Sequence, residues 1–258
     1  RAQFGKPIIQ FAAVAEMLSN MKAKLQGARA LLYETTRFVE IYKQYGHIAQ
    51  ERSLEPEERQ EMKFYNRLAD GFTPLVKLFA SEYANQLAYD AVQIHGGSGF
   101  MKDYPYERPT LDPRILSIFE GTNEILRLYV ALSGLKDVGA SLGSLKDALS
   151  HIFDDQIKGF GVLSGYASRR ARQRTGFGTD RIVTQLSPDL RKAAAIYEKS
   201  VVELANASAG LLKKYGKRIA DQQHQLKRLA DIAIALYVGL CAPSRAAGLE
   251  TTCPLYTS

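Results

Sequence analysis

Apolar residues recur at Phe11, Val14, Leu18, Met21, Leu25, Ala28 and Leu32, with spacings that alternate between three and four. That repeat marks one face of a long helix, which Val39 and Tyr42 continue. Pro7 suits a first helical turn, where its missing N–H costs nothing, and Gly46 reads as a stop. A second helical region follows Pro56, with Glu57 and Glu58 favourable at its N-terminus. Its apolar line is Met62, Tyr65, Leu68, Phe72, Val76, Phe79, Tyr83 and Leu87, and Thr73-Pro74 predicts a break or kink. Gly96, Gly97 and Gly99 close this region, and Pro105, Pro109 and Pro113 predict an irregular stretch from Gly96 to Pro113. A third helix is expected near Thr122, an N-cap candidate, with Glu124 in its first turn and Ile125, Leu128, Tyr129 and Leu132 along it.

Gly134 to Gly143 is the best candidate linker. Beyond it a weaker pattern uses Leu145, Leu149, Ile152, Phe153 and Ile157, and the basic run Arg169, Arg170, Arg172, Arg174 follows. Ser187-Pro188 combines an N-cap with Pro at the first position, so a helix should start there and reach about Tyr215 before Gly216. A last helix carries Ile219, Leu226, Leu229, Ala233, Leu236 and Leu240 and should end near Pro243. Almost nothing alternates with period two, which predicts an all-α protein of antiparallel helices. The expected organisation is an antiparallel helical bundle over 1–135, a second, smaller helical domain over 136–250, and an irregular tail over 251–258.

With 258 residues the chain is long enough to bury a core without staples. A charged fraction of 24% and a hydrophobic fraction of 46% exclude a disordered polymer. No uninterrupted apolar run reaches the length that a spanning helix needs. The net charge of +7 is compatible with anionic ligands, lipid or nucleic acid and selects none of them. Cys241 and Cys253 build neither a disulfide framework nor a zinc site, so reduced thiols in a cytosolic or organellar matrix setting are expected. The chain opens on Arg1 beside a helix and reads as a piece of a longer protein.

The sequence holds no phosphate-binding loop of the Walker type and no nucleophile elbow. His47, His95, His151 and His224 lack metal-ligand spacing, and no metal is expected. The helix faces show no basic-aromatic interleaving, so no nucleic acid is expected. One dense segment remains. Gln93-Ile94-His95-Gly96-Gly97-Ser98-Gly99-Phe100 reads as a helix end with a glycine loop. It is either a C-cap or a place where a ligand comes close to backbone. In Ile118-Phe119-Glu120-Gly121-Thr122-Asn123-Glu124, Glu120 follows apolar residues and precedes a helix start. Such a carboxylate is either solvated or, when desolvated, a base. Spacing alone puts the solvated reading first.

Those two motifs, in that order, together with the opening Arg1-Ala2-Gln3-Phe4-Gly5-Lys6-Pro7-Ile8, resemble the C-terminal region of the acyl-CoA dehydrogenase family. The resemblance covers residues 1 to about 135. Leu226-Lys227-Arg228-Leu229-Ala230-Asp231, Pro243-Ser244-Arg245-Ala246 and Phe119 are similar to the very-long-chain branch. Leu111-Asp112-Pro113 departs from the Arg-Asp pair usual ahead of Arg114-Ile115, and Ala12 stands where many members have Gln.

The resemblance implies an FAD-dependent flavoenzyme that desaturates an acyl-CoA thioester between its α and β carbons. Long or very long acyl chains are implied, in β-oxidation. By correspondence with the family, Glu120 matches the base that takes the α-proton, and Gly121 the backbone beside the thioester. Thr122, Asn123 and Glu124 match a segment contacting FAD. Gln93, Ile94, His95, Gly96 and Gly97 match a loop reaching FAD across a homodimer interface, and Arg1 a cationic contact to its pyrophosphate. An electron-transfer flavoprotein-type acceptor is implied. So is a bacterial cytoplasmic or a mitochondrial location, with the 258 residues inactive alone. An acyl-CoA oxidase and a non-catalytic helical assembly module are the alternatives. The basic run Arg169 to Arg174, with Lys213, Lys214, Lys217 and Arg218, reads first as a solvated face. Its alternative is peripheral docking on an anionic membrane.

Overall fold

The computed structural model describes residues 1–106, 108–150 and 187–252, with backbone alone at 137–150, 189, 217 and 249–252. Those residues are almost entirely helical. A two-stranded antiparallel ribbon opens the chain, β1 (Ala2–Gln3) against β2 (Lys6–Pro7), with Ala2 opposite Pro7. A short 3-10 turn, Ile8–Gln10, leads into α1 (Ala12–Glu51). Then come α2 (Pro56–His95), α3 (Gly97–Phe100), α4 (Arg108–Leu116) and α5 (Asn123–Ser150). After the undescribed stretch come α6 (Pro188–Tyr215), a 3-10 segment (Gly216–Asp221) and α7 (Gln223–Thr252). The chain divides into two compact units, Arg1–Leu126 and Arg127–Ser258.

In the first unit α1 and α2 form an antiparallel hairpin. Lys24 lies over the Tyr83 ring, Phe38 packs on Phe72 and Tyr65, and Tyr45 hydrogen-bonds Glu61, so one helix descends as the other rises. The turn between them is capped on both sides. The Glu55 side chain accepts from the backbone at Glu58, and Glu58 accepts from the Glu55 N–H at 2.9 Å. This capping box satisfies donors that a helix start leaves open. Arg52 clamps the same Glu58 carboxylate with two bonds of 2.8 and 2.6 Å.

Several expectations are corrected here. The most buried line of α1 is Gly27, Leu31, Thr35 and Phe38, while Leu25 and Leu32 from the expected stripe are exposed. Helix α1 runs through Gly46 to Glu51, and α2 runs through Pro74. Burial of long faces outweighs the roughly 1 kcal/mol that a helical glycine costs. Pro7 lies in β2 rather than in a helical turn. The Gly96 to Pro113 stretch is not wholly irregular, since it contains α3 and most of α4. The linker expected at Gly134 to Gly143 is helical, inside α5.

In the second unit α6 starts at Pro188 behind Ser187 and ends at Gly216, whose φ of 54° suits a residue without Cβ. It packs on α7 so closely that a Cβ on Gly239 would fall 2.1 Å from the Tyr197 ring. Leu226, Leu229, Ala230 and Ile234 of α7 are buried. Ile219 precedes α7 in the 3-10 segment, and α7 continues past Pro243. By length and composition alone, Gln223–Gly248 is long and apolar enough to cross a membrane, and part of it is buried within the unit. It contains no uninterrupted apolar run of that length, because Gln, Lys, Arg and Asp interrupt its first half. The amphipathic pattern from Ile152 onward and the arginines of 169–174 lie outside the described residues.

Candidate functional site

Helix α2 carries Lys77, Ser81 and Asn85 at i, i+4 and i+8, so the three share one face. Lys77 and Ser81 engage the turn that follows Glu120, and Asn85 engages α4, which leads into it. Asn85 Nδ2 donates to the Pro113 carbonyl of α4 at 2.9 Å and to its own helix at the Ser81 carbonyl at 2.8 Å. Lys77 Nζ donates to the Gly121 carbonyl at 2.8 Å and to Asn123 Oδ1 at 3.0 Å. Ser81 Oγ lies 2.9 Å from Asn123 Nδ2, from which it accepts, and 3.1 Å from the Leu78 carbonyl, to which it can donate. Asn123 is 2% exposed and Ser81 4%, so these polar groups satisfy one another away from water.

The turn tied down in this way has an uncommon backbone. Glu120 has φ 54° and Gly121 φ 95°, both in the left-handed half of conformational space. Glycine adopts this freely, and a glutamate does not. On the α4 side the Ile118 and Phe119 N–H groups both return to the Ile115 carbonyl, at 2.9 and 3.1 Å. On the α5 side the Asn123 N–H donates to the Ser117 carbonyl at 3.2 Å and closes the loop. Thr122 accepts a long 3.4 Å bond from the Ile125 N–H, in keeping with its expected capping role. Glu120 is exposed, with Ile118 and Phe119 about half exposed beside it. A recess of about 350 Å³ adjoins the turn, lined by Asn85, Arg114, Ser117, Ile118, Thr122 and Glu124 among others.

A second group gathers at the C-terminal end of α2. Arg1 Nη1 donates to the His95 carbonyl at 2.8 Å. The Gly96 backbone, at φ 61° and ψ −139°, passes so close that a Cβ there would lie 3.2 Å from Arg1 Nη1. Gly99 is packed harder still, since its Cβ would meet the Val92 carbonyl oxygen at 2.7 Å. Gly97 faces open space. His95 Nδ1 donates to the Ala91 carbonyl at 2.7 Å, and its ring stacks on Tyr106 with centroids 3.9 Å apart. Gln93 is exposed on the last turn, and Ile94 is half-buried.

The structure thus brings Arg1 together with His95 and Gly96, and Gly121 together with Asn123. Ser81 and His95 stand about 21 Å apart along the axis of α2 at 1.5 Å per residue. The Asn123 side chain is turned inward onto α2. Glu124 is exposed in the first turn of α5. The departure at Leu111 places an exposed side chain on α4, and Arg114 donates to Ser117 Oγ at 2.7 Å. Ala12 is the exposed first residue of α1. Sequence reasoning missed Lys77, Ser81 and Asn85. Their one local signal is a polar stripe at four-residue spacing in a largely apolar helix.

The residues present suit an anionic cofactor at the α2 end, because a guanidinium and open glycine backbone lie side by side there. A family model described as acyl-CoA dehydrogenase, C-terminal domain, matches residues 1–135. A second, described as ACAD9/ACADV, C-terminal domain, matches residues 188–251. The chain is 40% identical over 171 residues to the very long-chain specific acyl-CoA dehydrogenase, mitochondrial, of Rattus norvegicus, covering 66% of this chain and 26% of that protein. It is 32% identical over 131 residues to the caffeyl-CoA reductase-Etf complex subunit CarC of Acetobacterium woodii, covering 51% of this chain and 28% of that protein. The crystal structure of an acyl-CoA dehydrogenase complexed with FAD from Bacillus anthracis matches with a TM-score of 0.65 at 27% identity, covering 100% of this chain and 39% of that one. The chain spans about a quarter of the length of the curated relatives it matches.

Proposed function

The chain belongs to the acyl-CoA dehydrogenase family, and from that premise we propose that it forms the C-terminal part of an FAD-dependent enzyme desaturating long or very long acyl-CoA thioesters. The exposed Glu120 carboxylate on a turn locked to α2 carries this reading. In it, Glu120 removes the proton from the carbon next to the thioester carbonyl. When bound, FAD supplies the acceptor for the hydride that leaves the β carbon. The Gly121 backbone lies beside the thioester and Glu124 stands near the cofactor. A base on a turn that cannot drift is aimed at one carbon, which is where general-base efficiency comes from.

Arg1, Gln93, Ile94, His95, Gly96 and Gly97 hold the anionic part of a cofactor in this proposal. In the same proposal they serve the cofactor of the partner in a homodimer, while Glu120 serves the cofactor of its own subunit. An electron-transfer flavoprotein accepts the electrons, by analogy with the Etf complex named for the Acetobacterium relative. In a eukaryote the location would be mitochondrial, as named for the rat relative. In a bacterium it would be the cytoplasm. Residues 136–250 belong to an additional domain of the very-long-chain type, in keeping with the match over 188–251.

The test is Glu120→Gln in the FAD-loaded holoenzyme containing this chain. The side chain keeps its size and loses its basicity. Anaerobic mixing with a saturated long-chain acyl-CoA should bleach flavin absorbance at least about 10²–10⁴-fold more slowly. FAD content should stay at the unmutated level. Bleaching at the unmutated rate would assign the base elsewhere.

A further inference from the structure

The proposed base needs a support that neither the motif nor its local hydrogen bonds supply. Glu120 is a non-glycine residue at φ 54°, a conformation that persists only where the surroundings over-determine it. The α4 side is held by bonds to the Ile115 carbonyl and the α5 side by the bond to the Ser117 carbonyl. Between those anchors the Gly121 carbonyl is met by Lys77 of α2, 44 positions away in sequence.

We infer that Lys77 is a positioning residue for the base, its ammonium fixing the Glu120–Gly121 turn to α2 with Ser81 and Asn123 completing the clamp. This rests on the proposed role of Glu120. An ammonium offers three donors, and Lys77 places two of them, on Gly121 O and Asn123 Oδ1. A charged donor holds a carbonyl more firmly than a neutral one. With the Gly121 carbonyl fixed, the peptide joining Gly121 to Thr122 has one orientation. With the Phe119 N–H held on the Ile115 carbonyl at the other side, this brackets Glu120 between two anchored peptides and narrows the arc its carboxylate can reach. Asn123 is the second arm. Buried and bonded to both Lys77 and Ser81, it ties the first residue of α5 to the same face of α2. The Lys77 side chain is half-buried beneath the turn and acts through backbone, without touching the reacting atoms in this proposal.

The experiment compares Lys77→Met, Lys77→Arg, Ser81→Ala and the exposed control Lys63→Met in the FAD-loaded holoenzyme. Lys77→Met should lower kcat for a saturated long-chain acyl-CoA by about 10–10²-fold, the effect of a misplaced base. KM should stay within about threefold, because ground-state binding is untouched. The isotope effect with α-deuterated substrate should rise as proton removal becomes limiting. Backbone amide exchange should quicken over 117–126 and stay unchanged over 56–72. Lys77→Arg, which keeps a cationic donor, should recover part of kcat. Ser81→Ala should show the same signature in smaller form, and it carries the test if Lys77→Met folds poorly. Unchanged kcat, isotope effect and local exchange would overturn the inference. So would exchange rising along the whole of α2 with KM moving alongside kcat, which marks a stability residue. Glu120→Gln measured in parallel separates the two claims. Full activity there removes the base, whereas a dead Glu120→Gln beside an unaffected Lys77→Met removes only the positioning role.

Discussion

Ser81 and Asn123 form a buried polar pair between α2 and the first residue of α5, with Oγ 2.9 Å from Nδ2 and both residues almost fully enclosed. Removing Asn123 leaves buried Ser81 only the Leu78 carbonyl of its own helix and takes one of two acceptors from Lys77. Asn123→Ala should therefore cost about 1–3 kcal/mol, the penalty for leaving buried groups unsatisfied. Urea unfolding monitored by circular dichroism measures it. A change under about 0.5 kcal/mol would mean that water enters and replaces the amide.

Gly46 lies within α1, and a Cβ there would meet nothing within 4 Å. Gly46→Ala should raise stability by about 0.5–1 kcal/mol, because alanine loses less backbone freedom on folding and clashes with no neighbour. The check is the same denaturant titration. A loss of stability would mean that the glycine serves a contact or a bend at that point.

Gly46 also shows what a linear reading of this chain can and cannot yield. The two long helices were legible because apolar spacing near 3.6 is a local property. Their ends were legible only where a capping signal coincided with a real end, as at Pro56, Ser187-Pro188 and Gly216. Gly46, Pro74 and Pro243 carry the same signals inside continuous helices. At Pro74 the missing N–H falls opposite Asp70, which is exposed, so water can take the freed carbonyl. The stripe on α1 was misplaced by about one position, because Leu25 and Leu32 satisfy the same periodicity as Leu31 and Phe38. At the site, residue types and glycines pointed to Glu120 and to the α2 end. Lys77, Ser81 and Asn85 left only a polar stripe at four-residue spacing, because their partners lie 28 to 46 positions away in sequence.

The Glu58 carboxylate is held at about 2, first by its bonds from Arg52 and then by the Glu55 N–H. The folded value lies below the ordinary 4.5, so the interaction contributes fully above that pH and is lost as pH falls from about 4.5 towards about 2. Glu58→Gln should thus reduce stability at neutral pH. Its difference from the parent chain should shrink across that acid window. Paired denaturant titrations at neutral and acid pH give the answer. A difference independent of pH would assign the effect to packing rather than to charge.

In the second unit Arg127 Nε donates to Asp231 Oδ1 at 2.6 Å, with the arginine side chain only 13% exposed. Asp231→Ala takes this carboxylate away from a guanidinium that lies in a poorly hydrated place. The cost should be about 1–3 kcal/mol, more than the sub-kilocalorie value of a solvated pair. Added salt should weaken the effect only in part, since the arginine is mostly enclosed while the aspartate side chain is 43% exposed. A cost that vanishes in high salt would show that the pair behaves as a surface one.

The last prediction joins the left-handed glycine at the end of α2 to the proposed cofactor contact. Gly96 adopts φ 61° and ψ −139°, a region that residues with a Cβ scarcely enter. Its missing Cβ also leaves room for Arg1, whose Nη1 would otherwise lie 3.2 Å away. Gly96→Ala should therefore do two things. It should cost about 1–3 kcal/mol for the forced backbone. It should also push the Arg1 guanidinium by a few tenths of an ångström beside the His95 carbonyl and weaken FAD retention in the holoenzyme. Arg1→Gln separates the two effects, because it removes the cation without touching the backbone. If Arg1 contacts the cofactor, Arg1→Gln should lose FAD on dilution nearly as readily as Gly96→Ala while keeping more of the parent stability. Flavin absorbance after gel filtration reads retention, and thermal unfolding reads stability. Full retention in Arg1→Gln would leave Gly96 a purely structural turn residue and remove Arg1 from the cofactor contacts.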